Sequence, residues 1–389
     1  MRKVLIVSDF ACTTGFSSVM TNLLTRMDLS AWVPHIIALN YHGDPHPLRT
    51  QFPHIYPASI SGRHDSYGVM RFPDILDAVE PALVVMQNDA WNIPLMFKQA
   101  KAKGVKMPPS IAYCPPDSPG QPGAALTAHG LTHLVCPTQF GIDELVDGGY
   151  DGPATVLPYG VDPIFQPMDR TLARKTLSFP DNMLDAFLVG RADRNAVRKR
   201  YDLTLEGFAE WYHGSGRPQD AYLYLHCSID SPHGWPLIDL AKYYGIAPRL
   251  KFTGQHVEGS GIPLDRMPLI YNAWDLHLSP APEGFGLVGL ESARCGIAQA
   301  VLNYSAYGEW LGEAAHLLPV THRYATPVVN TIQASTSPVA IAEAIQQVYE
   351  DRGYRDRLGA KALAVASQPC YDWQVSADRF LALWNEVAG

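Results

Sequence analysis

The stretch Ser279-Pro280-Ala281-Pro282-Glu283-Gly284-Phe285-Gly286-Leu287-Val288-Gly289-Leu290-Glu291 decides how this chain is read. An apolar run ending at Ser279 predicts a strand, the glycine-rich residues after it a loop, and residues 285–295 a helix that Gly296 stops. Backbone N–H groups at Gly284 to Gly286 would point at whatever lies beyond the strand end, and the helix dipole favours an anion there. Phosphate is the obvious candidate. Glu283 and Glu291 cannot both be phosphate ligands, but carboxylates beside a phosphate can accept hydrogen bonds from sugar or ribose hydroxyls. An ordinary N-capped core helix is the competing reading of the same residues.

Around this stretch, short apolar runs alternate with helical patterns along the whole chain, the sign of α/β structure with parallel sheets covered on both faces. Strands are expected at residues 4–8, 35–39, 83–87, 110–113, 133–136 and 155–158, and again at 186–190, 222–226, 250–253, 276–279, 300–303 and 316–319. Two sheets of similar size follow. A length of 389 residues also suggests two domains. Between the two sets lies Asp162-Pro163-Ile164-Phe165-Gln166-Pro167, where two prolines stiffen the chain, and the interdomain linker is placed there. Two such lobes would hold a ligand in the cleft between them, at the carboxyl ends of the strands.

Composition narrows the function classes. The chain is 47% hydrophobic and 17% charged, which excludes disorder and fibrous repeats, and its net charge of −8 supplies no global field for nucleic acid or anionic lipid. The cysteines at 12, 114, 136, 227, 295 and 370 have no zinc or redox spacing, so buried thiols in a reducing cytosol are expected. No apolar run has the length of a signal peptide core or a membrane span, which predicts a cytoplasmic protein without integral membrane association. The histidines show no metal-binding spacing, and no metal is expected.

Three further clusters carry chemistry. Arg191-Ala192-Asp193-Arg194-Asn195-Ala196-Val197-Arg198-Lys199-Arg200 follows the first strand of the second set; five basic residues in ten suit a diphosphate, a basic surface loop or a nucleic-acid backbone. Asp9-Phe10-Ala11-Cys12-Thr13-Thr14-Gly15-Phe16-Ser17-Ser18 follows the first strand of all, with Gly15 permitting close backbone approach and Ser17 or Ser18 available as a helix cap. It lacks the spaced glycines of a dinucleotide fingerprint and the lysine of a P-loop. Gln87-Asn88-Asp89-Ala90-Trp91 and Tyr113-Cys114-Pro115-Pro116-Asp117 end two strands of the first set, where Asp89 and Asp117 read either as groups that orient an acceptor hydroxyl or act as base, or as a helix cap and a turn residue.

Taken together, these residues resemble the retaining GT-B glycosyltransferases of the family 4 type. Glu283 through Glu291 resembles their E-x7-E motif, and residues 157–162 with Phe165 and Pro167 resemble the PxGVDxxxFxP linker. Arg194 and Lys199 resemble the pair that holds the donor diphosphate, while Tyr271-Asn272-Ala273-Trp274-Asp275, the run from Tyr304 to Trp310, and Trp373 also fit. The match extends over nearly the whole chain. It implies a GT-B fold of two Rossmann-like domains, an acceptor-binding one at 1–166 and a nucleotide-sugar-binding one at 167–371, with the helix at 372–389 packing back on the first.

The resemblance further implies a nucleotide-sugar co-substrate, most simply a UDP-sugar, and no other cofactor. Glu291 would hold the ribose, Glu283 the donor sugar, and Arg194 and Lys199 the diphosphate, with Gly284, Phe285, Gly286 and Leu287 lining it and Gly15 approaching from the first domain. Asp89, Trp91 and Asp117 would serve the acceptor, Asp117 also the chemistry, and the base would lie near Gln255 and His256. Retention follows from front-face attack, the leaving phosphate oxygen taking the acceptor proton. Where many members carry a histidine near the sugar, this chain reads Cys114-Pro115-Pro116-Asp117. Asn88-Asp89, the Asp117 loop and residues 194–200 together resemble a subgroup found in phage as well as bacterial genomes, which adds a hydroxymethylated DNA base to glycans and small molecules as acceptors. A sugar-nucleotide epimerase or a phosphorylase on the same fold is the other enzyme reading.

Overall fold

The computed structural model describes residues 1–59, 65–253, 261–326 and 331–389. The chain divides into two compact units, one of Met1–Gly160, Thr326–Ile332 and Pro369–Gly389, the other of Val161–Ala325 and Gln333–Gln368.

The first unit is built on seven parallel strands, β1 (Arg2–Asp9), β2 (Trp32–Leu39), β3 (Ile55–Pro57), β4 (Leu83–Gln87), β5 (Ser110–Tyr113), β6 (His133–Cys136) and β7 (Ala154–Val156), in the order β3-β2-β1-β4-β5-β6-β7. Alternate strand residues Leu5, Val7, Ile37, Val84 and Met86 join one core with Phe72, Leu76 and Phe97 from flanking helices. Strands buried on both faces need no polar side, which is why they read as continuous apolar runs. The last helix, Trp373–Ala388, belongs to this unit: Trp384 meets Trp32 edge-on at 5.8 Å, Phe380 packs on Tyr113, and Ser376 donates to the Pro158 carbonyl. Gly160 lies so close to Trp373 that a Cβ there would come within 2.6 Å of the indole.

The second unit has six parallel strands, β8 (Phe187–Ala192), β9 (Ala221–His226), β10 (Leu250–Phe252), β11 (Leu276–Ser279), β12 (Ala298–Leu302) and β13 (His316–Leu318), in the order β10-β9-β8-β11-β12-β13. Period-2 alternation divides β8 between two cores: Phe187 and Val189 join Phe208, Leu223 and Ile345, while Leu188 and Ala192 join Phe165, Tyr224 and Trp274. A separate pair, β14 (His322–Ala325) and β15 (Ile332–Ser335), stands outside this sheet.

Arg174 ties this unit together from inside. It is 1% exposed, donates to the carbonyls of Ala273, Leu184 and Ala186, and pairs with Asp275 at 2.8 Å. Asp275 also pairs with Arg170 and Arg355, so removing Arg174 leaves the carboxylate neutralised but strips buried carbonyls of their donor. Arg174→Met is expected to lower the unfolding free energy by about 3 kcal/mol, read from urea denaturation. A loss under about 1 kcal/mol would mean that water replaces those donors.

Each sheet reverses its winding beside its first strand, between β1 and β4 in one unit and between β8 and β11 in the other. In such sheets the loops leaving the two strands on either side of the reversal diverge and open a crevice at their carboxyl ends. In the second unit these loops are residues 193–200, after β8, and 280–286, after β11. The two strongest sequence signals are thereby brought side by side.

Candidate active site

The loop after β8 is closed on itself by Arg191. This guanidinium is fully buried, donates to the Lys199 carbonyl, the Arg200 carbonyl and Thr204 Oγ1, reaches Asp193 at 3.3 Å, and lies 4.3 Å above the Tyr201 ring. Asn195, also buried, accepts the Trp235 N–H at 2.9 Å and donates to the Trp235 carbonyl. The result is a fixed loop that presents Lys199 inward.

Across from it, residues 283–286 are held by the segment after β12. Ser305 Oγ donates to the Glu283 carbonyl at 2.9 Å and accepts the Glu283 N–H, while Trp310 Nε1 donates to the Phe285 carbonyl at 2.9 Å and stacks on its ring. Gly286, at φ +87°, caps a helix that runs Leu287–Arg294, two residues later at its start than the sequence predicts. A left-handed residue cannot belong to the helix, so the turn ends where Gly286 ends.

Lys199 and Glu283 meet. Their ion pair is buried, and the same ammonium is 2.8 Å from Asp193. Burial pushes the Glu283 carboxyl above its usual range; Lys199 opposes that, Asp193 adds to it, and Arg198 opposes it. For Asp193 burial also works upward, but Lys199 and Arg191 more than reverse it and hold the carboxyl below the usual range. His277, buried on β11, is driven down to about 4 by burial and is neutral, its Nδ1 2.7 Å from Gln299 Oε1.

Glu291 lies on the helix that begins at Leu287, and Tyr271 Oη donates to it at 2.6 Å. Burial raises its carboxyl to about 7, against the hydrogen bond from Tyr271. Around neutrality it therefore exchanges between an acceptor-only carboxylate and an acid that can also donate.

The other sequence-predicted residues are placed as follows. Arg194 is exposed and makes no hydrogen bond or ion pair among the described residues. Of the five cations in its run, Arg191 is internal and Arg200 pairs with Asp202. Gly284, Phe285, Gly286 and Leu287 form the turn into the Glu291 helix, whose first N–H groups have no partner within the helix. Gln255 and His256 lie outside the described residues.

In the first unit, Gly15 starts the helix Gly15–Arg26, and the cap is Thr14, whose Oγ1 accepts the Ser17 N–H; Ser17 and Ser18 are not caps. Thr14 in turn donates to Asp9 at 2.6 Å, and Asn40 donates to the other Asp9 oxygen. Asp89 and Trp91 follow β4 and Asp117 follows β5, all at carboxyl ends of strands. Asp89 is not a helix cap: the N-cap of the helix Ile93–Ala102 is Asn92, and Asn88 Oδ1 accepts the Asp89 N–H. Asp117 accepts from Ser118 Oγ at 3.0 Å.

Among the described residues no group of three or more His, Cys, Asp or Glu side chains is placed to hold a metal ion, and no helix is long and apolar enough to cross a membrane. The six cysteines are unbridged, four of them buried.

Sequence reasoning missed Asp193 as part of the site and Tyr271 as the partner of Glu291, and it did not tell Arg191, which is buried, from the other cations of its run. The one signal for Asp193 was its position as the single carboxylate in a run of cations.

Two Rossmann-like parallel sheets in one chain, of seven and six strands, make this a GT-B fold. Sucrose-phosphate synthase from Thermosynechococcus elongatus is similar over 100% of this chain and 99% of its own, with a TM-score of 0.76 at 15% identity. Anabaena HepE, solved in complex with UDP-glucose, is similar over 99% of this chain and 100% of its own, with a TM-score of 0.72 at 14% identity. WaaG, a glycosyltransferase involved in lipopolysaccharide biosynthesis, is similar over 97% of this chain and 99% of its own, with a TM-score of 0.70 at 15% identity. No protein-family model matches the chain.

In sequence the chain is 31% identical to the D-inositol 3-phosphate glycosyltransferase of Geodermatophilus obscurus over 225 residues, 54% of this chain and 47% of that one. It is 28% identical to the protein of the same name from Stackebrandtia nassauensis over 265 residues, 65% of this chain and 54% of that one. The chain spans about half the length of the curated relatives it matches.

Proposed function

We propose that the protein is a retaining glycosyltransferase that moves a sugar from a nucleotide-sugar, a UDP-sugar, to an acceptor hydroxyl without a metal ion. The observation that carries this reading is the buried Lys199–Glu283 pair at the reversal point of the second sheet, directly before the glycine turn into the Glu291 helix. The relatives named D-inositol 3-phosphate glycosyltransferase support sugar transfer, and the HepE complex with UDP-glucose supports this class of donor.

In this reading Glu291 accepts the ribose hydroxyls and Glu283 a hydroxyl of the donor sugar, while Lys199, Arg194 and the N–H groups from Gly284 to Leu287 take the diphosphate oxygens. Gly15 also approaches the donor, and Asp89, Trp91 and Asp117 bind the acceptor. As the bond from the anomeric carbon to the phosphate oxygen breaks, negative charge grows on that oxygen, where a fixed ammonium and a helix N-terminus stabilise it. The acceptor oxygen bonds to the same face of the anomeric carbon, and the departing phosphate oxygen takes its proton. That route assigns the proton to the leaving group, so neither Asp89 nor Asp117 has to act as base.

The test is donor turnover in the absence of acceptor. With UDP- and GDP-sugars, slow release of nucleoside diphosphate and a free sugar of unchanged anomeric configuration is expected, at the same rate with and without EDTA. Absence of both binding and hydrolysis with every donor would remove the reading. Conversion of the donor without nucleotide release would point to an epimerase instead, and a rate abolished by EDTA and restored by a divalent cation would remove the metal-free assignment.

A further inference from the structure

Lys199 has two carboxylate partners, and the proposed function uses one of them. The second, Asp193, is fixed from several directions. Its Oδ2 faces the Arg191 guanidinium at 3.3 Å, its N–H donates to Tyr201 Oη at 3.1 Å, and its carbonyl accepts from the same hydroxyl at 2.9 Å. Arg191 also holds the Lys199 carbonyl, so one buried guanidinium clamps both ends of the Asp193–Lys199 pair.

An ammonium group has three N–H donors in tetrahedral array. Held by one acceptor it can still swing with its side chain about that contact; held by two, both the nitrogen and the rotation about Cε–Nζ are fixed, and the third N–H has one direction left. We propose that Asp193 is a positioning residue of the donor site, which, together with Glu283, locks the Lys199 ammonium so that its third N–H is aimed at a diphosphate oxygen. This rests on the donor-site reading above. Without Asp193, Lys199 collapses into a one-to-one pair with Glu283, and each withdraws the other from the ligand.

The groups that face Glu283 are Lys199, Asp193 and Arg198, with the Tyr307 phenol beside it; neutral His277 lies near Asp193. Removing the Asp193 charge takes an anion away from Glu283 and makes it easier to ionise, so the acid limb of a reaction that needs ionised Glu283 moves to lower pH. A residue that merely stabilised the loop would not move that limb.

The experiment is calorimetric titration of the full chain with UDP, combined with the pH profile of acceptor-free donor hydrolysis. In Asp193→Asn the amide oxygen turns to Arg191 and its NH2 group faces Lys199, which breaks the lock. UDP affinity is expected to fall about tenfold, as for the loss of a hydrogen bond to a charged group, and the acid limb to shift downward. Asp193→Glu should restore much of both. Should Asp193→Asn fail to fold, Asp193→Ser, which also removes the carboxylate from Lys199, carries the same expectation. UDP binding at or above wild-type strength in a folded variant, or an unmoved acid limb, overturns the proposal. Failure of the wild-type chain to bind any nucleoside diphosphate overturns the donor-site reading itself, and is seen before a variant is made.

Discussion

Glu283→Ala is expected to abolish sugar transfer in a protein that remains folded, whereas Lys199→Ala abolishes transfer and also weakens the fold. In both variants kcat/KM should drop about a thousandfold or more, the scale for deleting a fixed group that meets developing charge. The difference lies in what remains. Without the Glu283 side chain, Lys199 keeps Asp193 at 2.8 Å, and Ser305 still grips the backbone of residue 283, so no buried charge is stranded. Without Lys199, the Glu283 and Asp193 carboxylates share one space, with Arg191 on the Asp193 side and Arg198 the cation left facing Glu283. Breaking a buried pair in this way costs about 3 kcal/mol. The deficit depends on pH in a fixed direction. Losing the cation raises the already raised Glu283 carboxyl further, so the folded state holds a proton that the unfolded state releases, and stability falls as pH rises. Urea melts at pH 5.5 and pH 8 should therefore show a larger deficit for Lys199→Ala at pH 8, and equal deficits at the two would mean that Lys199 is not neutralising Glu283.

That pairing was only half visible in the sequence. Four strands, Leu83–Gln87, Ser110–Tyr113, His133–Cys136 and Leu276–Ser279, fall where their apolar runs predict, because a parallel strand buried on both faces leaves no ambiguity between core and solvent sides. The edge strand Ile55–Pro57 escaped notice: it is three residues long, two of them half-buried, and ends in proline. The strand pair His322–Ala325 and Ile332–Ser335 escaped because the first of the two is polar and largely exposed. Within the site, Glu283 and Lys199 each carried a local signal, but 84 residues separate them, and only the strand order that places β8 beside β11 brings them together. Arg191 was read as one more cation for a phosphate. A charged residue after a strand normally faces water, and its burial depends on the Lys199 and Arg200 carbonyls, Asp193 and the Tyr201 ring, none of which spacing reveals. The glycines were read as backbone opened for an anion, and here packing supplies a second cause.

That second cause makes Gly286→Ala the other substitution with a large expected effect. Gly286 sits at φ +87° and ψ +62°, where a side chain costs about 1–2 kcal/mol, and its added Cβ would lie 2.5 Å from ring carbons of Tyr307. The same ring would meet a Cβ at Gly289 at 2.4 Å, so one tyrosine fixes both glycines. Tyr307 cannot simply move aside: it is buried, with Trp310 at 5.9 Å on one side and His277 at 6.5 Å on another. Displacing it also disturbs Trp310, which holds the Phe285 carbonyl and thereby the turn. Strain and overpacking together predict a loss of about 2–4 kcal/mol in stability, with donor turnover reduced by at least a hundredfold because the N–H groups of the turn lose their alignment. The two contributions separate in a double variant. Tyr307→Ala removes the ring, so Gly286→Ala added to it should cost only the backbone strain, about 1–2 kcal/mol, and a thermodynamic cycle over the four proteins should show the second substitution to be less harmful than the first alone predicts. If the two losses simply add, the ring is not what excludes a side chain at residue 286, and backbone conformation alone accounts for the glycine.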